Sequence, residues 1–375
     1  LNGLIIDKPN PGQPASSADV GLALPAYAVG VERGVMIRAN AIERTLATLR
    51  FFDRSVQSTD PDATGYKGFY YHFLDMSSGK RAWKCELSTV DTAFLLAGML
   101  TVAAYFSGSA ADEREIGELA DKLYQRTDWN WAQNDGLTVT LGWKPESGFL
   151  PYRWQGYDEA LFLYLLGLGS PTHPLPKESY LEWTSTYEWR EVYGYEFLNA
   201  GPLFTHQISH LWIDFRGIQD DYMRGKKTDY FESSCRAARV QQQYAIENPH
   251  NLDSYSAKCW GITASDGPGP AKRTIKGQER EFFDYIARGV PDGPDDGTVA
   301  PWAVVASLPF APEIVLPTLD HVEKMRLRAN NPYGFKATFN ATFARRGHPS
   351  RPWISRFHYG LNQGPIVLMI ENYRS

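Results

Sequence analysis

The sequence predicts an all-α fold built from antiparallel helix pairs, an α/α toroid with a cleft at one end. Two observations carry that expectation. Apolar residues recur at helical spacing over 38–56, 87–106, 111–127, 157–167, 176–187, 202–215, 227–247, 299–309, 312–326 and 363–373, while strand signals are scarce. The segments are joined alternately by short loops and by long ones rich in Gly, Pro and aromatic residues, at 128–156, 188–202, 250–297 and 328–361. A simpler helical bundle satisfies the same periodicity, because no repeat of fixed period is present.

Residues 1–34 hold Pro9, Pro11, Pro14 and Pro25 and are expected to lie extended along the body, with a single catalytic domain over 35–375. The helix over 87–106 starts beside Glu86 and Ser88, and the one over 111–127 has Ser109 as its expected N-cap before Asp112 and Glu113. Gly167, Gly169 and Pro171 stop the helix over 157–167. The Pro, Gly and Asp cluster at 289–297 reads as a surface loop between helices rather than a domain boundary.

Composition narrows the function classes. Of 375 residues, 43% are hydrophobic and 22% charged, and the net charge of −5 gives no attraction to nucleic acid or anionic membrane. Aromatic residues reach 14%, with 11 Trp and 21 Tyr, more than a core alone usually needs, which favours a cleft lined by rings. No apolar run spans a membrane, since 89–106 is interrupted by Asp91 and Gly98. Cys85, Cys235 and Cys259 are too few and too scattered for a disulfide framework, although one bridge is allowed. The first residue is Leu1 rather than Met, so a leader or tag is expected to have been removed, and the expected compartment is periplasmic or secreted.

The acidic pair Asp158 and Glu159 sits between a Trp- and Tyr-rich loop and the apolar run from Ala160 to Leu166. Carboxylates are rarely buried without a reason, and beside aromatic rings they point to sugar chemistry, where rings stack on pyranose faces and carboxyls move protons. Near the first turn of a helix the dipole favours the ionised form of Glu159, whereas burial against Trp154, Tyr157 and Phe162 favours the neutral acid. The plain alternative is a helix-start role, and it weighs more for Asp158, because adjacent helical residues diverge by about 100°. Asp91 is the second candidate, a carboxylate among Val90, Ala93, Phe94, Leu95 and Leu96, with dipole compensation as its alternative.

His206, His210 and Asp214 recur at every fourth residue and are expected on one helix face. The pair lacks the Glu of HExxH, so a hydrogen-bonded face lining a polar cleft near Trp212 and Arg216 is expected rather than a metal site. Asp220 and Asp221 follow in a turn, where either can be solvated and inert. Ser254, Ser256 and Cys259 lack a nucleophile-elbow context, Gly267 and Gly269 form a loop rather than a phosphate cradle, and Asn340 to Thr342 matches a glycosylation sequon.

The run from Gly156 through Asp158, Glu159, Gly167 and Gly169 to Pro174 resembles the signature of the bacterial glucoamylase-like domain. That family includes endo-β-1,2-glucanases and the cyclising domain of cyclic β-1,2-glucan synthases. Phe204 to Asp220, Asn331 to Phe335 and Gly360 to Arg374 are similar too, so the resemblance runs from about residue 35 to the end. It implies an (α/α)6 toroid hydrolysing β-glucosidic bonds without metal or cofactor and with inversion.

Carried over residue by residue, Glu159 matches the essential acid, and Asp91 takes a position usually held by Glu in an STVET-like motif. Asn362 falls where family members typically read GLDQGP, and an amide cannot act as a base. Altered chemistry, a binding role or an inactivating substitution at Asn362 all follow from that departure. The expected protein is thus a monomeric endo-β-1,2-glucanase acting on β-glucan oligosaccharides or polysaccharides. Glu159 and Asp91 are its expected catalytic pair. Asp158, Trp154, Tyr157, His206, His210, Trp212, Asp214, Trp260 and Asn362 are expected against the sugar. Transfer, exo release of sophorose and non-catalytic glucan binding are the alternatives.

Overall fold

Helices and short antiparallel strands alternate along the chain in the computed structural model, which describes residues 2–327, 331, 333–345 and 348–375. Two units are distinguished, Leu1–Thr186 and Tyr187–Ser375. The fold is mainly helical, but the described residues also form several small sheets, so the all-α expectation is corrected. Many of these strands have only two to five residues, too short to display a period of two in the sequence.

In the first unit β1 (Ala15–Ser16) leads into α1 (Ser17–Glu32), followed by α2 (Arg38–Arg54). Then come β2 (Gly65–Tyr66), β3 (Phe69–Tyr71), β4 (Phe73–Leu74), β5 (Leu87–Ser88) and α3 (Thr89–Tyr105). The unit continues with α4 (Ala111–Gln125), α5 (Trp129–Ala132), β6 (Gly142–Lys144), β7 (Gly148–Phe149), α6 (Leu161–Leu168) and α7 (Lys177–Thr184). The expectation of an extended segment over 1–34 is overturned, because residues 17–32 form a helix with Pro25 inside it. Proline has no N–H for the carbonyl four residues back, here that of Gly21. That carbonyl lies against Gly98, where an added Cβ would come within 1.9 Å of it, so α1 and α3 pack backbone to backbone.

The strands between these helices act as a hanger. Segment 69–74 pairs through β3 with β5, in register Tyr70 to Ser88, and through β4 with β1, in register Ser16 to Phe73. Both Ser16 and Ser88 are the N-caps of the helices that follow them, so the starts of α1 and α3 are held on either side of His72. Sheet order in this unit is β2, β3, β5, β6, β7. Ser109 is not a cap: α4 begins after Ala110, with no side-chain capping bond.

The second unit opens with a hairpin of β8 (Trp189–Val192) and β9 (Tyr195–Leu198), turning at Tyr193 and Gly194, both at positive φ. After α8 (Asp221–Lys226) and α9 (Tyr230–Glu247) come β10 (Ala264–Ser265), β11 (Ala271–Ile275), β12 (Gln278–Phe282), β13 (Ile286–Ala287) and β14 (Thr298–Val299). The chain proceeds through α10 (Pro301–Ala306), α11 (Pro312–Lys324), β15 (Phe339–Arg345), β16 (His348–Ile354) and α12 (Gly360–Arg374). Proline opens α10 and α11, where its missing N–H costs nothing. Trp260, Trp302 and Phe339 anchor the core of this unit. Nearby, the Arg288 and Asp296 side chains are fully buried as a two-pronged ion pair, with bonds of 2.9 and 2.8 Å. All three cysteines are buried and free. Pro332, within the segment that resembles the family over 331–335, lies outside the described residues.

Candidate active site

A cluster of carboxyl groups surrounds His72 in the first unit. Asp91 is the third residue of α3, where its N–H donates to the N-cap hydroxyl of Ser88, and Ser88 Oγ donates back to its carboxylate at 2.5 Å. His72 Nδ1 lies 2.9 Å from Glu86 Oε1 and 3.8 Å from Asp91 Oδ2. Backbone pairing fixes the imidazole there, since His72 N–H donates to Glu86 O and Ser17 N–H donates to His72 O, both at 3.0 Å. Burial works against the imidazolium, but Asp91, Glu86 and Asp7 outweigh it and push its pKa up to about 9. The hydrogen bond from His72 holds the Glu86 carboxyl below its ordinary range.

Two further acids of this cluster lie in the segment expected to be a mere strap. Asp19 occupies the same place in α1 that Asp91 has in α3, third after a serine cap. It is 2% exposed, and neither carboxyl oxygen has a hydrogen-bond partner among the described residues. Burial, with added repulsion from Asp7 and Asp91, pushes its pKa well above the usual value. Asp7 is raised too, by burial. A signal was available in the sequence: Ser16-x-x-Asp19 repeats Ser88-x-x-Asp91. His72, Glu86 and Asp7 had none.

Glu159 precedes α6 rather than sitting in its first turn. Asp158 Oδ1 accepts the N–H of Ala160 at 2.9 Å, and this local turn delays the helix to Leu161. Of the two opposed influences expected on Glu159, helix dipole and burial, burial prevails, and together with repulsion from Asp91 it pushes the pKa up from 4.5 to about 7. Asp158 also accepts from Trp183 Nε1 at 3.3 Å, and burial followed by Glu159 raises its pKa well above the ordinary value. Trp154 Nε1 donates to Thr89 Oγ1 at 3.0 Å, tying the aromatic loop to the start of α3. Trp154 and Tyr157 are both partly exposed. The first unit thus gathers Asp91, Glu159, Asp158 and Trp154 around one mixed-charge cluster.

Several expected residues fall elsewhere. Residues 203–206 and 208–211 form two single-turn 3-10 helices, so His206, His210 and Asp214 do not share a helix face. Gln207 interrupts the run because its side chain is drawn away to Ala303 O and Ser307 Oγ, at 2.7 and 2.8 Å. Burial pushes His206 down to about 4 and His210 to about 3, leaving both neutral. His210, Trp212 and Asp214 line a cavity of about 370 Å³ with Phe231 and Asn372. Asp214 pairs with Arg216 at 2.9 Å, and Asp220 caps α8. Trp260 is fully buried and donates to Thr318 Oγ1, which makes it core rather than a stacking surface. Asn362 is buried in the first turn of α12. Among the described residues no group of three His, Cys, Asp or Glu side chains is placed to hold a metal ion, and no helix is long and apolar enough to cross a membrane.

Glu159, raised by burial and by Asp91, and Asp91, within 3.8 Å of His72, combine groups of the types that acid/base chemistry uses. The chain belongs to the family described as "Putative glucoamylase", which matches residues 151–375. It is similar to an exo β-1,2-glucooligosaccharide sophorohydrolase (non-reducing end) from Parabacteroides distasonis, 27% identical over 95% of this chain and 49% of that protein. The chain therefore spans about half the length of this curated relative. Among solved structures it resembles a Bacteroides uniformis protein carrying the family's description, with a TM-score of 0.86 and 30% identity over 100% of this chain and 86% of that one. It also resembles an endo-β-1,2-glucanase from Chitinophaga pinensis, in a complex with sophorotriose and glucose, with a TM-score of 0.84 and 26% identity over 100% of this chain and 87% of that one.

Proposed function

We propose that the protein is a glycoside hydrolase cleaving β-1,2-glucan, with endo action, on an (α/α)6 toroid. The observation that carries this reading is Glu159, a carboxyl pushed up to about 7 by burial and by Asp91. At neutral pH such a group is protonated about half the time, which suits a general acid donating to a glycosidic oxygen directly or through a sugar hydroxyl. Asp91, held by Ser88 and facing His72, is assigned to activate or position the attacking water. Trp154 and Tyr157 are assigned to the sugar faces, and Asp158 to sugar hydroxyls or the turn before α6. Asn362, His206, His210, Trp212 and Asp214 are left with binding or structural roles in the second unit.

The relatives act on β-1,2-linked glucose by their names, one by internal cleavage and one by release of sophorose. Exo release is the second reading, favoured by the similarity over 95% of this chain to the sophorohydrolase. Early products from linear β-1,2-glucan separate the two, a ladder for endo action and a single disaccharide for exo action. Glu159→Gln tests the site: reducing-end release is expected to fall by roughly 10²- to 10⁴-fold, and near-normal release would remove Glu159 from the chemistry.

A further inference from the structure

The acid cluster is continued outward by a line of rings that ends on an exposed indole. His72 stacks on Phe73 at 4.0 Å between centroids with 12° between planes, and Phe73 meets Trp83 at 5.0 Å. Trp83 is 59% exposed, an expensive placement for the largest side chain. Its backbone is also strained, with φ of 54° at Trp83 and 50° at the next residue, Lys84, two successive non-glycine residues in the left-handed region. The loop that carries them is fastened on every side. Arg81, with its side chain 2% exposed, donates to Cys85 O at 2.6 Å and Lys84 O at 2.8 Å, pairs with Glu146 at 2.7 Å and lies over the Tyr71 ring. Cys85 Sγ adds bonds to the N–H and C=O of Phe73.

A rigid loop that pays strain to hold one indole in water, two ring contacts from an acid/base cluster, is built to meet a ligand. Its chemistry does not suit a broad apolar partner, because Trp83 is followed in the chain by the charged Lys84, with Glu86 two residues further on. It suits a pyranose, whose C–H face covers the ring while its hydroxyls reach the flanking charges. We propose that Trp83, backed by Phe73, is a stacking subsite for a glucosyl unit of the β-1,2-linked chain beyond the one at the acid cluster. This rests on the β-1,2-glucan reading given above.

The test is calorimetric binding of linear β-1,2-gluco-oligosaccharides of increasing length to Glu159→Gln protein, alone and combined with Trp83→Ala or Trp83→Phe. In the alanine variant the longer oligosaccharides are expected to bind about five- to tenfold more weakly, and phenylalanine is expected to recover most of the loss. Near-UV circular dichroism confirms the fold of each variant, and Trp83→Gln, bulkier than alanine but without a ring, carries the comparison should alanine loosen the loop, with the same weakening expected. Equal binding by all of these proteins at every length would overturn the subsite while leaving the substrate reading intact. Failure of the Glu159→Gln parent to bind any of these oligosaccharides would instead overturn the substrate reading, and the subsite with it.

Discussion

With Glu159 as the proposed general acid, replacing Asp91 by Asn should move the alkaline limb of the pH profile, because Asp91 helps to raise the Glu159 carboxyl. Burial is the larger cause of the rise from 4.5 to about 7, and repulsion from Asp91 is the smaller. If protonated Glu159 is the active form, about nine-tenths of it is present at pH 6, half at pH 7 and a tenth at pH 8, so kcat/KM should fall about fivefold from pH 7 to 8 and about tenfold per pH unit beyond that. Removing the Asp91 charge takes away only the smaller cause. The break should therefore shift below 7 yet stay above the ordinary glutamate value. The same rise has a stability face, since a carboxyl whose folded pKa is raised stabilises the fold below its unfolded value and loses that contribution as pH climbs through about 7. The penalty on the ionised form is at most about 3 kcal/mol. Initial rates of reducing-end release from pH 5 to 9 for wild type and for the residual activity of Asp91→Asn, with melting curves of Glu159→Gln over the same range, test both faces. An alkaline break at the same pH in both enzymes, or Glu159→Gln no more stable than wild type above pH 7, would mean that burial and Asp91 do not raise the Glu159 carboxyl.

Asp19→Asn should raise the melting temperature at neutral pH, and its advantage should widen as pH rises. The wild-type carboxyl is raised by burial, so it contributes to stability only at acidic pH and loses that contribution on the way up, which thermal scans at several pH values will show. Arg288→Met should destabilise the protein by about 3–5 kcal/mol in denaturant titration, because it leaves Asp296 buried without its ion-pair partner.

The parts of this protein legible in its sequence are those set by local chemistry. Asp91 is readable as a carboxylate set among apolar residues, and its helix-start alternative is legible in Ser88 three residues before it, where the cap is found. Helix bodies followed from the apolar period, as at 38–54 and 312–324. The failures come where tertiary contacts override local pattern. Pro25 argued for an extended leader, yet α3 packs against the Gly21 carbonyl that the proline leaves free. Residues 203–214 read as one amphipathic helix until the Gln207 side chain is seen bonded to α10 and the residue after it. His72 is a single histidine in an aromatic run, and only the pairing of β1 with β4 and of β3 with β5 brings it between two capped aspartates. Trp260 shows that an aromatic surplus cannot by itself separate a core ring from a sugar platform.

The proposed function is hydrolysis of β-1,2-linked glucan at the Glu159 cluster. The most direct measurement is the incubation of wild type and Glu159→Gln with linear and cyclic glucans of defined β-1,2, β-1,3, β-1,4 and β-1,6 linkage, with products read by mass. Oligosaccharide release is expected from β-1,2-glucan alone, by wild type alone. Undiminished release by Glu159→Gln, or cleavage of another linkage with β-1,2-glucan left intact, would contradict it.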